Sequence, residues 1–328
     1  LNLNTALRRF FGVLLLGAFS LAHSQGFPEA GRPIRLIVPF GAGASADAVA
    51  RAFARAMSEQ TGATVIVDNK PGADAVIGVE YVKQAAPDGY TLLFGNLSTQ
   101  VLNVFMVPNL RYNPLTDFIP VAATNKVSLV INAGPSTNFK SLHDLVAAAR
   151  ANPGKYSYGS GSTSTRLGMQ MFAYLTKLDL LSVSYKTQAQ AAADLAGGQV
   201  DLLVTDVTTS APFYKSGKFR ALATTGRDRL SALPNVPTVR EQGVEDYEFT
   251  AWHAIFAPAG TPEAVVGKLW AMIGNAAKSK YVTDALASNA SDPMEMDTAH
   301  LRVQLKSDIE KWGRVLEGMK EKTRAQKP

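Results

Sequence analysis

Two short runs of small and hydroxyl-bearing residues carry the chemistry most readable in this chain of 328 residues. The first, Gly41-Ala42-Gly43-Ala44-Ser45-Ala46, stands between an apolar run at 34–38 and a segment at 47–60 whose Val49, Phe53 and Met57 share one helical face. Its spacing is G-x-G-x-x-A, and Asp68 closes the next apolar run 25 residues after Gly43, which is the context of a dinucleotide fingerprint. Residues this small let backbone N–H groups approach an anion, while the helix behind them aims the positive end of its dipole at it. A phosphate and a carboxylate are served equally. Pro39-Phe40 intrudes before the first glycine, and no Lys follows the glycines as a Walker loop requires. A tight turn without a ligand is the plainer alternative.

The second run is Ser160-Gly161-Ser162-Thr163-Ser164-Thr165-Arg166, again between a predicted strand (156–158) and a predicted helix (165–175). Its hydroxyls, exposed amides and the forked guanidinium of Arg166 suit a planar carboxylate, although a Ser/Thr run is often only a polar loop. Asp206, Thr208 and Thr209 end a further strand and can reach the same place; Asp206 equally suits a helix cap.

Short β-branched runs and amphipathic segments alternate, as in parallel sheets covered by helices. Strands at 34–38, 64–67 and 91–94 with helices at 47–60 and 74–84 make one α/β unit. Helices at 142–150, 165–175 and 188–196 with strands at 156–158, 182–185 and 200–204 make a second, Ser141 capping its first helix. Extended stretches at 118–124, 127–132, 221–225, 249–252 and 254–257 lie around it, and helices at 262–278, 282–287 and 299–316 close the chain. The fold expected is therefore α/β with two domains: 25–123 with 222–328, and 124–221 inserted between them. Two interdomain crossovers make a hinge, and hinged α/β domains enclose a cleft.

Composition excludes several functions. The chain has no Cys, hence no disulfide, zinc–thiolate site or thiol nucleophile. Its four His, at 23, 143, 253 and 300, lack metal-site spacing, and no catalytic set stands out by spacing. Residues 1–24 have the form of a secretory signal peptide: Arg8-Arg9, a largely apolar run at 10–22, and Ala22-His23-Ser24 as the cleavage site before Gln25. A run of 13 residues falls short of the roughly 20 that span a bilayer. Without the leader the formal charge of +6 becomes +4, too mild and dispersed for nucleic acid.

Several segments together resemble the Bug family of periplasmic solute-binding proteins, the receptors of tripartite tricarboxylate transporters. They are Pro33-Ile34-Arg35-Leu36-Ile37-Val38-Pro39-Phe40, Asp68-Asn69-Lys70-Pro71-Gly72-Ala73, Ala86-Pro87-Asp88-Gly89-Tyr90-Thr91 and Asp117-Phe118-Ile119-Pro120-Val121. Asp194-Leu195-Ala196-Gly197-Gly198-Gln199, Leu233-Pro234-Asn235-Val236-Pro237-Thr238 and Ala257-Pro258-Ala259-Gly260-Thr261-Pro262 continue the likeness across the chain. The resemblance implies a two-domain Venus flytrap, periplasmic and monomeric, that needs no cofactor or metal. It captures a small organic acid, a mono- or dicarboxylate including aromatic and amino acids, and hands it to the permease subunits of its transporter. Carried over by position, the first loop supplies Phe40, Gly41, Ala42, Gly43, Ala44, Ser45 and Asp47. The second supplies Ser160, Ser162, Thr163, Ser164 and Arg166, a third loop supplies Asn96, Ser98 and Gln100, and Tyr185 faces the cleft. The family's Pro-Gly-Gly is Ala42-Gly43-Ala44 here, and the second loop is about two residues shorter, with Arg166 where many members have His. The competing expectation is an exported α/β enzyme using the first loop for a nucleotide or other anionic cofactor. Saturable binding of a nicotinamide dinucleotide separates the two.

Overall fold

The computed structural model describes residues 26–325; the expected leader at 1–24 lies outside the described residues. Two sheets organise the chain. The first holds β1 (Ile34–Val38), β2 (Val65–Asn69), β3 (Thr91–Asn96), β4 (Phe118–Ser128), β10 (Thr250–Pro258) and β11 (Ser291–Pro293), in the order β11-β4-β10-β3-β1-β2. The second holds β5 (Val130–Ala133), β6 (Ser157–Ser160), β7 (Leu181–Ser184), β8 (Leu202–Thr205) and β9 (Arg220–Thr224), in the order β7-β6-β8-β5-β9.

The strands expected to form two parallel units do pair in parallel, and the remaining extended stretches add antiparallel pairs to each sheet. β1 pairs in parallel with β2 and β3, and β6 with β7 and β8, but β10 runs antiparallel to β3 and β4, as does β5 to β8 and β9. The expected crossings at 124 and 222 move. β4 stays paired with β10 to Ser128, with Thr124 and Asn125 buried inside it and bonded to each other through their side chains. The chain passes between the sheets at Leu129, and returns only after Thr224, where β9 ends its pairing with β5.

The helices that matter to the cavity are α1 (Ser45–Thr61) and α2 (Val76–Lys83), then a π-helical turn (Ser98–Leu102) running into α3 (Asn103–Met106). In the second unit come α4 (Leu142–Ala151), α5 (Thr163–Thr176), α6 (Gln188–Ala196) and α7 (Val207–Lys215). α8 (Glu263–Ala277), α9 (Lys280–Ser288) and α10 (Thr298–Ala325) return to the first. Three of the βα transitions are written in the chain: Ser141, Ser162 and Thr187 form capping boxes that satisfy first-turn amides. α1 stops at Gly62, whose φ of 71° lets its N–H reach the Ser58 carbonyl.

Under the first sheet, Phe53 and Met57 of α1 pack with Ile34, Leu36, Phe94 and Ile255, all essentially inaccessible. Burying one such side chain contributes about 1.5–3 kcal/mol. A second cluster bridges the two sheets: Phe172 of α5 meets Tyr247 at 6.4 Å, Phe249 meets Trp312 of α10 at 5.4 Å, and Tyr247 donates to the Gly168 carbonyl. The segment that carries the chain back is thus packed on both units.

Candidate functional site

Between the sheets lies a cavity of about 490 Å³ onto which four helices point their N-termini. The N-cap residues Ala44, Ser162, Thr187 and Asp206, of α1, α5, α6 and α7, all line it. The carboxyl ends of the strands feed these helices, so each βα turn delivers backbone amides and a partial positive charge to one place.

The four ends are not equivalent. Ser162 and Thr187 spend their hydroxyls on the third amides of their own helices, and Asp206 accepts from the Thr209 N–H at 2.8 Å. No side chain caps α1, since its N-cap is Ala44, and the Ser45 hydroxyl beside it is buried with no hydrogen-bond partner. The α1 end is where the wall has donors left to give.

Asp47, expected among the contacts, stands behind the loop instead. Its buried carboxylate accepts from Gly43 N–H at 2.9 Å, Arg51 Nε at 3.0 Å and Asn69 Nδ2 at 2.9 Å, and Asn69 also donates to the Phe40 carbonyl at 3.1 Å. Burial alone would raise its pKa, but the bonds from Arg51, Gly43 and Asn69 outweigh that and hold it below the usual carboxylate range. Asp47 is a brace that fixes the loop's curvature.

Of the other expected residues, Phe40, Gly41, Ala42, Gly43, Ala44, Ser45, Asn96, Ser162, Ser164 and Asp206 line the cavity, with Thr208 and Thr209. Burial raises the pKa of Asp206 against the lowering effect of Thr209. Six more, besides Asp47, lie outside the wall. Ser98 is occupied by Ser164, its hydroxyl donating to Ser164 Oγ at 2.6 Å and accepting from Ser164 N–H at 2.9 Å. Thr163 donates to Asn103 Oδ1 at 2.7 Å, and the Tyr185 hydroxyl donates to Asp194 at 2.8 Å within its own unit. Gln100 and Ser160 are buried behind the wall. Arg166 reaches away from the cavity to Asp74 at 3.2 Å and to Ser184 Oγ at 3.3 Å. α5 starts at Thr163, so Arg166 stands in its first turn with its side chain directed at the other unit.

The wall also contains residues that sequence reasoning missed. Gln188 ties two loops together, accepting from Gly161 N–H at 2.8 Å and donating to the Val204 carbonyl at 2.7 Å. Thr187 sits against Gly41, where a Cβ would come within 3.2 Å of its methyl carbon, so the two units touch here. Thr187 follows a strand and stands three residues before Gln190, the spacing of a capping box, a signal that could have placed this helix start at the cavity. His253 had no such signal. It is buried on β10, stacked on Phe94 at 5.4 Å, and its Nδ1 has no partner. Burial pushes its pKa down to about 4, so the ring is neutral near pH 7.

Lys186 and Asp206 are the charged residues of this wall. An anion here would be held mainly by helix ends, amides and hydroxyls. Around the cavity the units meet again through Thr208 and Asn289, and through the Arg166–Asp74 ion pair. Asp74 lies in an unusual segment: Gly72, Ala73, Asp74 and Ala75 have φ of 129°, 48°, 53° and 72°. For residues other than Gly, left-handed backbone costs about 1–2 kcal/mol each.

Comparison with known proteins gives consistent matches. The family model described as the tripartite tricarboxylate transporter family receptor matches residues 49–320. The structure of the periplasmic binding protein BugD is similar at a TM-score of 0.84 and 30% identity, covering 89% of this chain and 98% of that one. A Rhodopseudomonas palustris protein solved with adipate gives a TM-score of 0.85 at 29% identity, over 89% of this chain and 98% of that one. Another from the same organism, MatC with bound malate, gives 0.82 at 27%, over 87% and 99%.

Proposed function

The chain belongs to the tripartite tricarboxylate transporter receptor family, and from that premise we propose that it captures one small organic carboxylate in the cavity between its sheets and presents it to membrane permease subunits. The observation that carries the assignment to this cavity is the α1 end: an uncapped helix N-terminus with the buried, unpartnered Ser45 hydroxyl, facing the α5 and α6 ends across about 490 Å³. A carboxylate accepts from several N–H and O–H donors at once and gains from the helix dipoles, which makes a guanidinium in the wall unnecessary.

In this reading the carboxylate sits among Phe40, Gly41, Ala42, Gly43, Ala44 and Ser45 on one side and Ser162 and Ser164 on the other. Asn96 and Asp206 meet the remainder of the molecule. Neighbours of this fold that hold adipate and malate support a small acid as solute. Residues 1–24 would direct export and be removed. The two units then act as rigid halves hinged at Leu129 and after Thr224, closing on the solute without altering it.

A thermal-unfolding screen tests the reading, with mono- and dicarboxylates, adipate and malate among them, beside nicotinamide dinucleotides. A carboxylate at about 100 times its dissociation constant should stabilise the fold by roughly 2.7 kcal/mol. Stabilisation by a dinucleotide and by none of the acids would favour the enzyme instead.

A further inference from the structure

The first turn of α5 faces two ways. Ser162, Ser164 and Thr165 line the cavity, while Thr163, Ser164 and Arg166 hold the other unit. Thr163 donates to Asn103 Oδ1 at 2.7 Å, and Asn103 Nδ2 donates in turn to the Asp74 carbonyl at 2.9 Å. Arg166 pairs with the Asp74 carboxylate at 3.2 Å. Both the backbone and the side chain of Asp74 are therefore tied, directly or through one buried side chain, to a single helical turn across the cleft.

Asp74 is also where the backbone is strained, in the left-handed run Ala73-Asp74-Ala75 that ends in the cavity wall at Ala75. Such conformations persist where the surroundings over-determine them. Here the surroundings include the opposite unit, through an Arg166 side chain only 15% exposed.

We propose that Arg166 is a positioning residue: by gripping Asp74 across the cleft it holds the two units closed before any solute arrives, with the α5 end already facing the α1 end. Closure is then a balance. The ion pair and the Ser98–Ser164 and Thr163–Asn103 bonds favour the closed form, and release of the left-handed segment favours the open one. The proposal rests on the capture function argued above, and it makes Arg166 act on affinity through the closed population with no solute contact.

The absence of Cys makes the test direct. Ala151→Cys at the end of α4 and Ala271→Cys on α8, both exposed, take spin labels on the two units. The distance between the labels is read by pulsed electron spin resonance on protein unfolded, dialysed and refolded without any acid present. The labelled protein should show mainly the closed distance. Arg166→Ala should lower the closed-to-open ratio about three- to tenfold, a range suited to a partly buried ion pair. Arg166→Lys keeps the charge and should restore part of the closed population. A distance distribution unchanged by Arg166→Ala, or a labelled protein without the closed distance, overturns the proposal. Because no solute enters the experiment, it fails or stands separately from the carboxylate screen.

Discussion

His253 is the residue whose chemistry makes the sharpest stability claim. In an unfolded chain its imidazole titrates near 6.5, whereas burial on β10 lowers it to about 4. Between those values the unfolded state binds the proton more readily, so the contribution is intact above about pH 6.5 and is lost as pH falls toward 4. At 1.36 kcal/mol per unit, about 2 kcal/mol should disappear between pH 7 and pH 5. His253→Gln should flatten that limb in urea unfolding at the two pH values; an equal slope in both proteins contradicts the assignment. The carboxylates of Asp47, Asp144, Asp297 and Glu241 are all held below their ordinary range, and they and the raised Asp206, which acts with the opposite sign, are the same in both proteins. Individual side chains were also the hardest thing to read from the sequence. Ser45 stood in a loop of small residues between a strand and a helix that the chain shows directly, whereas Asn96 came only from the family resemblance. Tyr185 was not legible, because the Asp194 that takes its hydroxyl lies one helix away, and neither was His253, whose position depends on a strand 157 residues after Asn96, its pairing partner.

At the scale of elements, the cavity depends on how closely two βα turns approach. Gly161 ends the β6–α5 turn against the start of α6, where a Cβ would fall 2.4 Å from Gln188 N and 2.6 Å from its Cα. Those are backbone atoms and cannot swing aside. Gly161→Ala should therefore cost about 1–3 kcal/mol by overpacking and weaken acid binding as α6 is pushed from the wall. Unfolding curves and titrations unchanged from the starting protein would show that the turn is not set by this contact. The Ser141 cap and the Gly197-Gly198 stop were visible in the chain, which is why α4 and α6 fell where expected, whereas α1 came from its apolar spacing and starts two residues earlier. Strand direction was not visible for β4, β5 and β10: an apolar run gives a strand whichever way its neighbour points, so they read only as extended stretches. Arg166 was expected near a helix start beside the second loop, and only the packing of the two units brings its side chain to Asp74.

The whole molecule is two mixed sheets joined at Leu129 and by the stretch after Thr224, with helix ends gathered on the cavity between them. Its two-unit plan was legible because strand and helix signals alternate twice. The crossing points were not, because Thr124 and Asn125 are polar residues buried inside a continuous strand. The central claim is that a carboxylate binds at the α1 end of that cavity, and calorimetric titration of the most stabilising acid into the starting protein and into Ser45→Ala tests it most directly. One acid should bind per chain, and loss of the Ser45 hydroxyl, a donor to a charged group contributing about 1.5–3 kcal/mol, should weaken binding roughly 10- to 150-fold with the fold intact. Equal affinity in the two proteins would place the acid elsewhere and contradict the account.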